Sequence, residues 1–168
     1  MSVEDRGLSE RPTQEITLTV NGETVTAAVE PRLKLSDFLR DHLDLRTVRV
    51  GCEQGVCGAC TVEFDGDIAK SCMLYAVQAD GRDVTTVEAM SAEGSLGPIQ
   101  EAFHEEHALQ CGFCTSGFLM ATRELLAENP DPSRAEIEAA LADNICRCTG
   151  YQNIYDAVET AAAKVGED

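Results

Sequence analysis

Residues 51–60 read GCEQGVCGAC and place three cysteines, Cys52, Cys57 and Cys60, in one glycine-rich segment. The spacing is C-x4-C-x2-C, and Cys72 follows after eleven intervening residues. Glycine permits tight turns and leaves backbone N–H groups free to point inward at a buried anionic centre. The segment therefore predicts a loop that is wrapped around sulfur ligands.

A second set of four cysteines lies in the C-terminal half of the chain. Cys111 and Cys114 form a C-x2-C pair, and Cys146 and Cys148 form a C-x-C pair. Four thiolates hold one [2Fe–2S] cluster, and the first set has the plant-type spacing for such a cluster. The eight cysteines therefore predict two clusters and a chain built to pass electrons.

Zinc is the main alternative to iron at these thiolates, since both metals accept sulfur ligands. Structural zinc sites favour paired C-x2–4-C knuckles, which the first set does not form. At the second set, a redox-active pair at Cys111 and Cys114 is a further alternative, because a helix start lowers the pKa of a thiol. Spacing alone favours a cluster at the first set and leaves zinc and a redox pair open at the second.

Composition excludes several classes of function. The 168 residues include 30 acidic and 13 basic ones, and a net charge of −17 is unsuited to nucleic acid. No run of about 18 apolar residues suggests a membrane span. The charged N-terminus lacks the apolar core of a secretory signal, so a cytoplasmic location is expected, and cysteines there indicate metal rather than disulfides. No nucleotide-binding or serine-nucleophile motif occurs, so no catalytic residue is expected.

Residues 15–90 are predicted to form a small α+β domain behind a disordered tail at residues 1–14. Apolar and polar residues alternate on both sides of Asn21-Gly22, a dipeptide that accepts positive φ at both positions and predicts a β-hairpin. The periodicity then indicates one helix and three further strands, at residues 35–40, 61–64, 68–70 and 84–87.

Residues 91–168 are predicted to form an all-α domain of four helices. Pro98 suits the first turn of a helix, and apolar residues recur at helical spacing over residues 114–128. The capping box S-R-A-E at 133–136 indicates a third helix, and the alanine-rich segment 153–164 indicates a fourth.

Three motifs, GCEQGVCGACTV, QCGFCTSGF and NICRCTGYQNI, follow one another in this order. Together they resemble the small iron–sulfur subunit of the molybdenum hydroxylases, a family that includes xanthine dehydrogenase, aldehyde oxidoreductase and aerobic carbon monoxide dehydrogenase. The resemblance covers about residues 14–164. It implies an N-terminal β-grasp, plant-type ferredoxin domain followed by a four-helix [2Fe–2S] domain, carried on a separate subunit.

The resemblance also implies a role for each cysteine. The cluster nearer the flavin would be bound by Cys52, Cys57, Cys60 and Cys72. The cluster nearer the molybdenum would be bound by Cys111, Cys114, Cys146 and Cys148. The residues that would approach the molybdopterin are Gln110 and Cys148.

The partners implied are a large molybdopterin subunit and a medium FAD subunit, assembled as a dimer of heterotrimers. Single electrons would pass from molybdenum through both clusters to FAD, so the chain is expected to serve an oxidoreductase without substrate chemistry of its own. A free-standing ferredoxin and a zinc-stabilised interaction module remain alternatives. The second cysteine set argues against the ferredoxin, because a carrier needs only one cluster.

The acidity leads to a hypothesis of adaptation to a high-salt cytosol. A net charge of −17 repels itself, and 1 M salt reduces the range of that repulsion to ~3 Å. We therefore expect the melting temperature to rise between low and multimolar KCl, followed by circular dichroism. A melting temperature indifferent to KCl would contradict the hypothesis.

Overall fold

The computed structural model describes residues 12–91 and 94–165. The predicted disordered tail lies outside the described residues except for its last three positions, so it stays a prediction. The N-terminal half contains a mixed sheet with strands β1 (Gln14–Val20), β2 (Glu23–Val29), β3 (Thr61–Phe64), β4 (Asp67–Lys70) and β5 (Asp83–Thr85). The predicted α+β character is confirmed.

The sheet has the order β2-β1-β5-β3-β4. The β1–β2 hairpin turns at Asn21 and Gly22, whose φ angles of 52° and 83° are the positive values that the dipeptide predicted. Strand β5 comes last in sequence yet lies in the middle, parallel to β1 and antiparallel to β3. A central strand joins the two hairpins into one sheet.

The predicted helix after the hairpin begins at Leu35 as α1 (Leu35–Asp37) and widens into a π-helical turn over Phe38–His42. Leu35, Phe38 and Leu39 are fully buried and belong to the same apolar cluster as the inward-facing residues of the sheet. This short helix therefore closes one face of the sheet.

The C-terminal half consists of helices where it is described. They are α2 (Pro98–Glu105), α3 (Thr115–Glu128), α4 (Arg134–Ala140) and α5 (Gln152–Val165). The Ser133 side chain accepts a hydrogen bond from the backbone N–H of Glu136, as the capping box predicted. The buried face of these helices forms a second apolar cluster, made mostly of residues between 87 and 161.

Helix α3 connects the two halves. Its Arg123 forms an ion pair with Glu63 of β3 at 2.7 Å, and the backbone N–H of Ile68 in β4 donates to Glu124 at 3.0 Å. At the start of α3, the Ser116 hydroxyl donates to the carbonyl of Ala59 at 3.4 Å. The cysteine loop of the sheet half therefore lies directly against the first turn of α3.

Two glycines make this contact possible. A Cβ on Gly117 in α3 would overlap the carbonyl oxygen of Gly58. A Cβ on Gly58 would overlap the side chain of Asn144 and lie 2.6 Å from the carbonyl oxygen of Asp143. We call this contact of Gly58, Gly117 and Asn144 the seam; at the seam, the two halves meet more closely than residues with a side chain allow.

None of the helices in residues 12–91 and 94–165 combines the length and apolar character required to cross a membrane.

The seam predicts unequal costs for the same substitution at two glycines. Gly58 and Gly81 have φ angles of +74° and +73°, but only Gly58 has neighbours at its Cβ position. Gly81→Ala should cost about 1–2 kcal/mol of backbone strain. Gly58→Ala should cost roughly 1–3 kcal/mol more, because the new methyl group overlaps packed atoms.

Thermal melting of both variants beside the parent chain measures this difference. About 1 kcal/mol corresponds to ~2–4 °C in a chain of this size. Equal melting temperatures for the two variants would mean that the seam opens without cost.

Candidate iron–sulfur sites

The four cysteines of the first set form two sulfur pairs. We call Cys52, Cys57, Cys60 and Cys72 the first site. The Cys57 thiol donates to Cys52 in a half-buried outer pair, and the Cys72 thiol donates to Cys60 in a buried inner pair. Cys72 also lies within electrostatic range of Cys52. The structure therefore brings all four predicted ligands together.

The second set is arranged in the same way. We call Cys111, Cys114, Cys146 and Cys148 the second site. The Cys148 thiol donates to Cys111 at 3.6 Å in an exposed outer pair, and the Cys114 thiol donates to the buried Cys146 in an inner pair. Cys146 interacts electrostatically with Cys111 and Cys148. Residues 37 positions apart in sequence are thus neighbours in space.

The loop of the first site is shaped to direct backbone N–H groups at sulfur. Glu53, Gly55 and Gly58 all have positive φ, between 56° and 77°. The N–H groups of Val56 and Cys57 consequently point at the Cys52 sulfur, at 3.3 and 3.4 Å. Such inward-pointing donors favour a thiolate and, equally, an anionic cluster.

The thiols of the first site differ in acidity. Backbone hydrogen bonds, first from Gln54 and then from Cys57, lower the pKa of Cys52 to about 6. Burial, reinforced by the hydrogen bond to Cys60, raises the pKa of Cys72 to about 11. Cys52 of the outer pair therefore favours negative charge, whereas Cys72 of the inner pair resists it until another group compensates for burial.

The thiols of the second site also differ in acidity, but there each pair contains one thiol with a lowered pKa and one with a raised pKa. A backbone hydrogen bond from Phe113 lowers the pKa of Cys111, and burial raises the pKa of Cys114 to about 12. Burial also opposes ionisation of Cys146, but the hydroxyl and N–H of Thr149 donate to its sulfur at 3.1 and 3.4 Å and lower its pKa overall. Hydrogen bonding to Cys111 raises the pKa of Cys148.

The paired arrangement fits a [2Fe–2S] cluster. Such a cluster takes four thiolates, two on each iron, and each site supplies four cysteines in two pairs. Within residues 12–91 and 94–165, no three histidine, cysteine or carboxylate side chains are placed to share one metal ion.

The two sites are connected by one backbone hydrogen bond. The N–H of Ile145 donates to the carbonyl oxygen of Cys57 at 2.9 Å, and Cys146 is the next residue. A ligand of the first site is therefore linked to a ligand of the second by a few covalent bonds and one hydrogen bond.

Exposed apolar side chains surround the two loops. Val56 and Ile145 are 57% and 49% exposed, and Met73 and Phe113 are similarly open. Phe113 and Met73 pack against glycines of the first-site loop, Gly51 and Gly55. We call these four residues, Val56, Met73, Phe113 and Ile145, the apolar rim.

Gln110, which was predicted to approach a molybdopterin, is exposed next to the outer pair of the second site. The sequence motifs contained further residues whose roles were not predicted individually. Thr149 donates to the Cys146 sulfur, and the Tyr151 hydroxyl accepts from the Cys146 N–H at 3.0 Å. Asn144 enters the seam. These residues lie in NICRCTGYQNI, so proximity to the C-x-C pair was the available signal.

The contrast in acidity predicts selective alkylation of the cluster-free protein. At pH 7, Cys52 with a pKa of about 6 is mostly thiolate, whereas Cys72 and Cys114 with pKa values of about 11 and 12 remain protonated. Iodoacetamide should label Cys52 first, because the thiolate is the nucleophile. Peptide mass spectrometry measures the order, and the urea-unfolded chain is the control. Equal labelling of the three cysteines in the folded chain would contradict the geometry.

Comparison with known proteins identifies both halves of the chain. Residues 18–89 match the 2Fe-2S iron-sulfur cluster binding domain, and residues 86–159 match the [2Fe-2S] binding domain. Each match contains one complete cysteine set. This assigns [2Fe–2S] chemistry to both sets in preference to zinc or a redox-active pair.

Relatives extend over nearly the whole chain. The nicotine 6-hydroxylase small subunit of Paenarthrobacter nicotinovorans is 52% identical over 90% of this chain and 92% of its own length. Caffeine dehydrogenase subunit gamma of Pseudomonas sp. (strain CBB1) is 51% identical over 88% of this chain and 90% of its own. A chain of quinoline 2-oxidoreductase from Pseudomonas putida 86 superposes with a TM-score of 0.90 at 45% identity, over 93% of this chain and 98% of that one.

The same fold also occurs inside a longer polypeptide. Aldehyde oxidoreductase of Megalodesulfovibrio gigas is 42% identical over 88% of this chain, which spans 17% of that protein. With two [2Fe–2S] domains and small-subunit relatives of this similarity, the chain belongs to the family of small iron–sulfur subunits of the molybdenum hydroxylases.

Proposed function

We propose that this chain relays single electrons from a molybdopterin centre on a large subunit to FAD on a medium subunit. The observation that carries the proposal is the hydrogen bond between Cys57 and Ile145, which joins two four-cysteine sites within one rigid chain. When bound, each [2Fe–2S] cluster supplies one single-electron redox couple. Two adjacent sites are what a relay requires, whereas a diffusing carrier needs one.

The proposed ligands are the two cysteine sets. The first site is assigned the cluster nearer FAD, with Cys52, Cys57, Cys60 and Cys72 as its ligands. The second site is assigned the cluster nearer molybdenum, with Cys111, Cys114, Cys146 and Cys148 as its ligands. The sulfur pairing within each site supports this assignment.

The chain itself adjusts the redox properties of both sites. Donors to sulfur and burial are the protein's means of setting the potential of a cluster. Val56 and Cys57 donate N–H groups at the first site, and Thr149 donates both N–H and O–H at the second. These donors stabilise negative charge on sulfur without taking part in a proton transfer.

The exposed side of the second site is the proposed entry point for electrons. Cys111 and Cys148 form the outer pair there, and Gln110 is exposed beside them. Gln110 and Cys148 are therefore the proposed neighbours of the partner's molybdopterin. Electrons then leave through the first site, whose outer pair is half-buried beneath the apolar rim.

The apolar rim is the proposed contact surface for the partner subunits. Its four exposed apolar side chains lie on a chain with a net charge of −17. Apolar patches that adjoin a functional site mark protein–protein contacts. A dimer of heterotrimers is the proposed assembly, and a cytoplasmic location stays a prediction from sequence.

Substrate choice is proposed to lie entirely on a partner subunit. The relatives above are named for nicotine, caffeine and quinoline, yet they share 45–52% identity with this chain. A subunit that touched substrate would be expected to differ with it. The proposed arrangement is a β-grasp domain at 15–90 and a four-helix domain at 91–168, which the separation of the two apolar clusters supports.

The proposal predicts four irons and four sulfides per chain in the complex purified through this subunit, together with molybdenum and flavin. Low-temperature EPR of the reduced complex should resolve two rhombic signals. Two irons with one signal and no partners would instead indicate a carrier, and zinc in place of iron would contradict electron transfer.

Paired variants then test the direction of the relay. Cys148→Ala removes an outer ligand of the second site and should abolish one EPR signal and substrate turnover, since electrons can no longer leave molybdenum. The matched variant Cys72→Ala should remove only the other signal and allow molybdenum to reduce the second site. Turnover that persists in Cys148→Ala would rule out the proposed path.

A further inference from the structure

Asn144 is a buried amide without a hydrogen-bonding partner among the described residues. The residue is 3% exposed, and neither its side-chain oxygen nor its side-chain nitrogen meets a partner. Its backbone N–H donates to the carbonyl oxygen of Leu141, so the group without a partner is the side-chain amide. A buried donor without a partner is costly and calls for an explanation.

The amide is held in a fixed place. It lies against Gly58, where a Cβ would overlap Oδ1 and come within 2.7 Å of Cγ, and a Cβ on Gly117 would lie 2.9 Å from Oδ1. Both glycines therefore leave room for this one side chain. A buried amide packed on two sides cannot turn away to find another partner.

Asn144 lies between the two sites. It comes two residues before Cys146, and Gly58, which it touches, lies between Cys57 and Cys60 in the first-site loop. At the second site, the Cys146 sulfur already receives two donors from Thr149. At the first site, the N–H groups of Val56 and Cys57 serve the outer sulfur of Cys52, and the N–H of Gly55 serves the inner sulfur of Cys72.

The buried side of the first site is where a further N–H donor would stabilise negative charge on sulfur. Cys60 and Cys72 are both 2% exposed, and burial disfavours negative charge. With Oδ1 held against Gly58, the N–H of the same amide would offset that burial. A hydrogen bond to charged sulfur is stronger than one between neutral groups.

We propose that Asn144 is a positioning residue for the first site, whose side-chain N–H donates to sulfur of the cluster bound there and makes that cluster easier to reduce. The inference rests on the proposed cysteine assignment. Reduction adds one electron to the cluster, and a donor stabilises the more negative form more strongly. Removal of the donor should therefore lower the reduction potential of the first site and leave the second unchanged.

The test compares Asn144→Leu with Asn153→Leu in the purified holoenzyme. Leucine has nearly the same volume as asparagine but no N–H, and Asn153 is an exposed control at the start of α5. EPR-monitored titration measures each site, and the first-site signal is the one that Cys72→Ala removes. At the parent's midpoint, the reduced-to-oxidised ratio of that signal should fall about tenfold in Asn144→Leu.

Three outcomes would overturn the inference: an unchanged titration in Asn144→Leu, a shift confined to the second-site signal, or an equal shift in Asn153→Leu. If Asn144 served packing alone, the titration of Asn144→Leu would be unchanged, because leucine fills the same space. The iron content and the number of signals are read from the same samples. A failure of the proposed function is therefore distinguished from a failure of this inference.

A second measurement needs no folded variant. The chain has four asparagines, Asn21, Asn129, Asn144 and Asn153, so the parent protein can be labelled with asparagine carrying 15N in the side chain. The Asn21 side chain is hydrogen-bonded to Thr86, away from both sites. Pulsed EPR of the reduced first-site signal should show coupling to one 15N nucleus. Absence of that coupling would overturn the inference even if Asn144→Leu failed to fold.

Discussion

The seam is the contact on which the rest of the structure depends. Backbone of the first-site loop at Gly58 lies directly against helix α3 at Gly117, and the Asn144 amide packs against both glycines. Contacts this close cannot slide, because packed interiors do not deform continuously. The two cysteine sites are therefore parts of one rigid unit, and the distance between them is set by the fold rather than by a hinge.

Rigidity matters because both sites hold negative charge in partly buried surroundings. Each site combines an exposed or half-buried outer pair with an inner pair shielded from water. Burial raises the pKa of Cys72 and of Cys114, so these two thiols stay protonated until a metal displaces the proton. Cluster binding is thereby coupled to proton release and to folding, as in other sites built from thiolates.

The surface around the two cysteine sites also differs from the surface elsewhere. The outer pairs and the apolar rim face outward around the two loops, while the acidic residues cover much of the remaining surface. An apolar rim placed next to a redox site would bring a partner close to the outer sulfurs and would exclude water there. The acidic surface keeps the chain dissolved and discourages unspecific contacts elsewhere.

The sequence by itself determined what depends on neighbours in the chain. Asn21-Gly22 specified a hairpin and Ser133 with Glu136 a helix start, because both signals act over a few residues. Cysteine spacing likewise indicated the chemistry, and the motifs indicated the family. Only the tertiary structure decided that β5 lies at the centre of the sheet, how the sulfurs pair, and that Asn144 occupies the seam. Those features arise from contacts between distant segments, which no local pattern encodes.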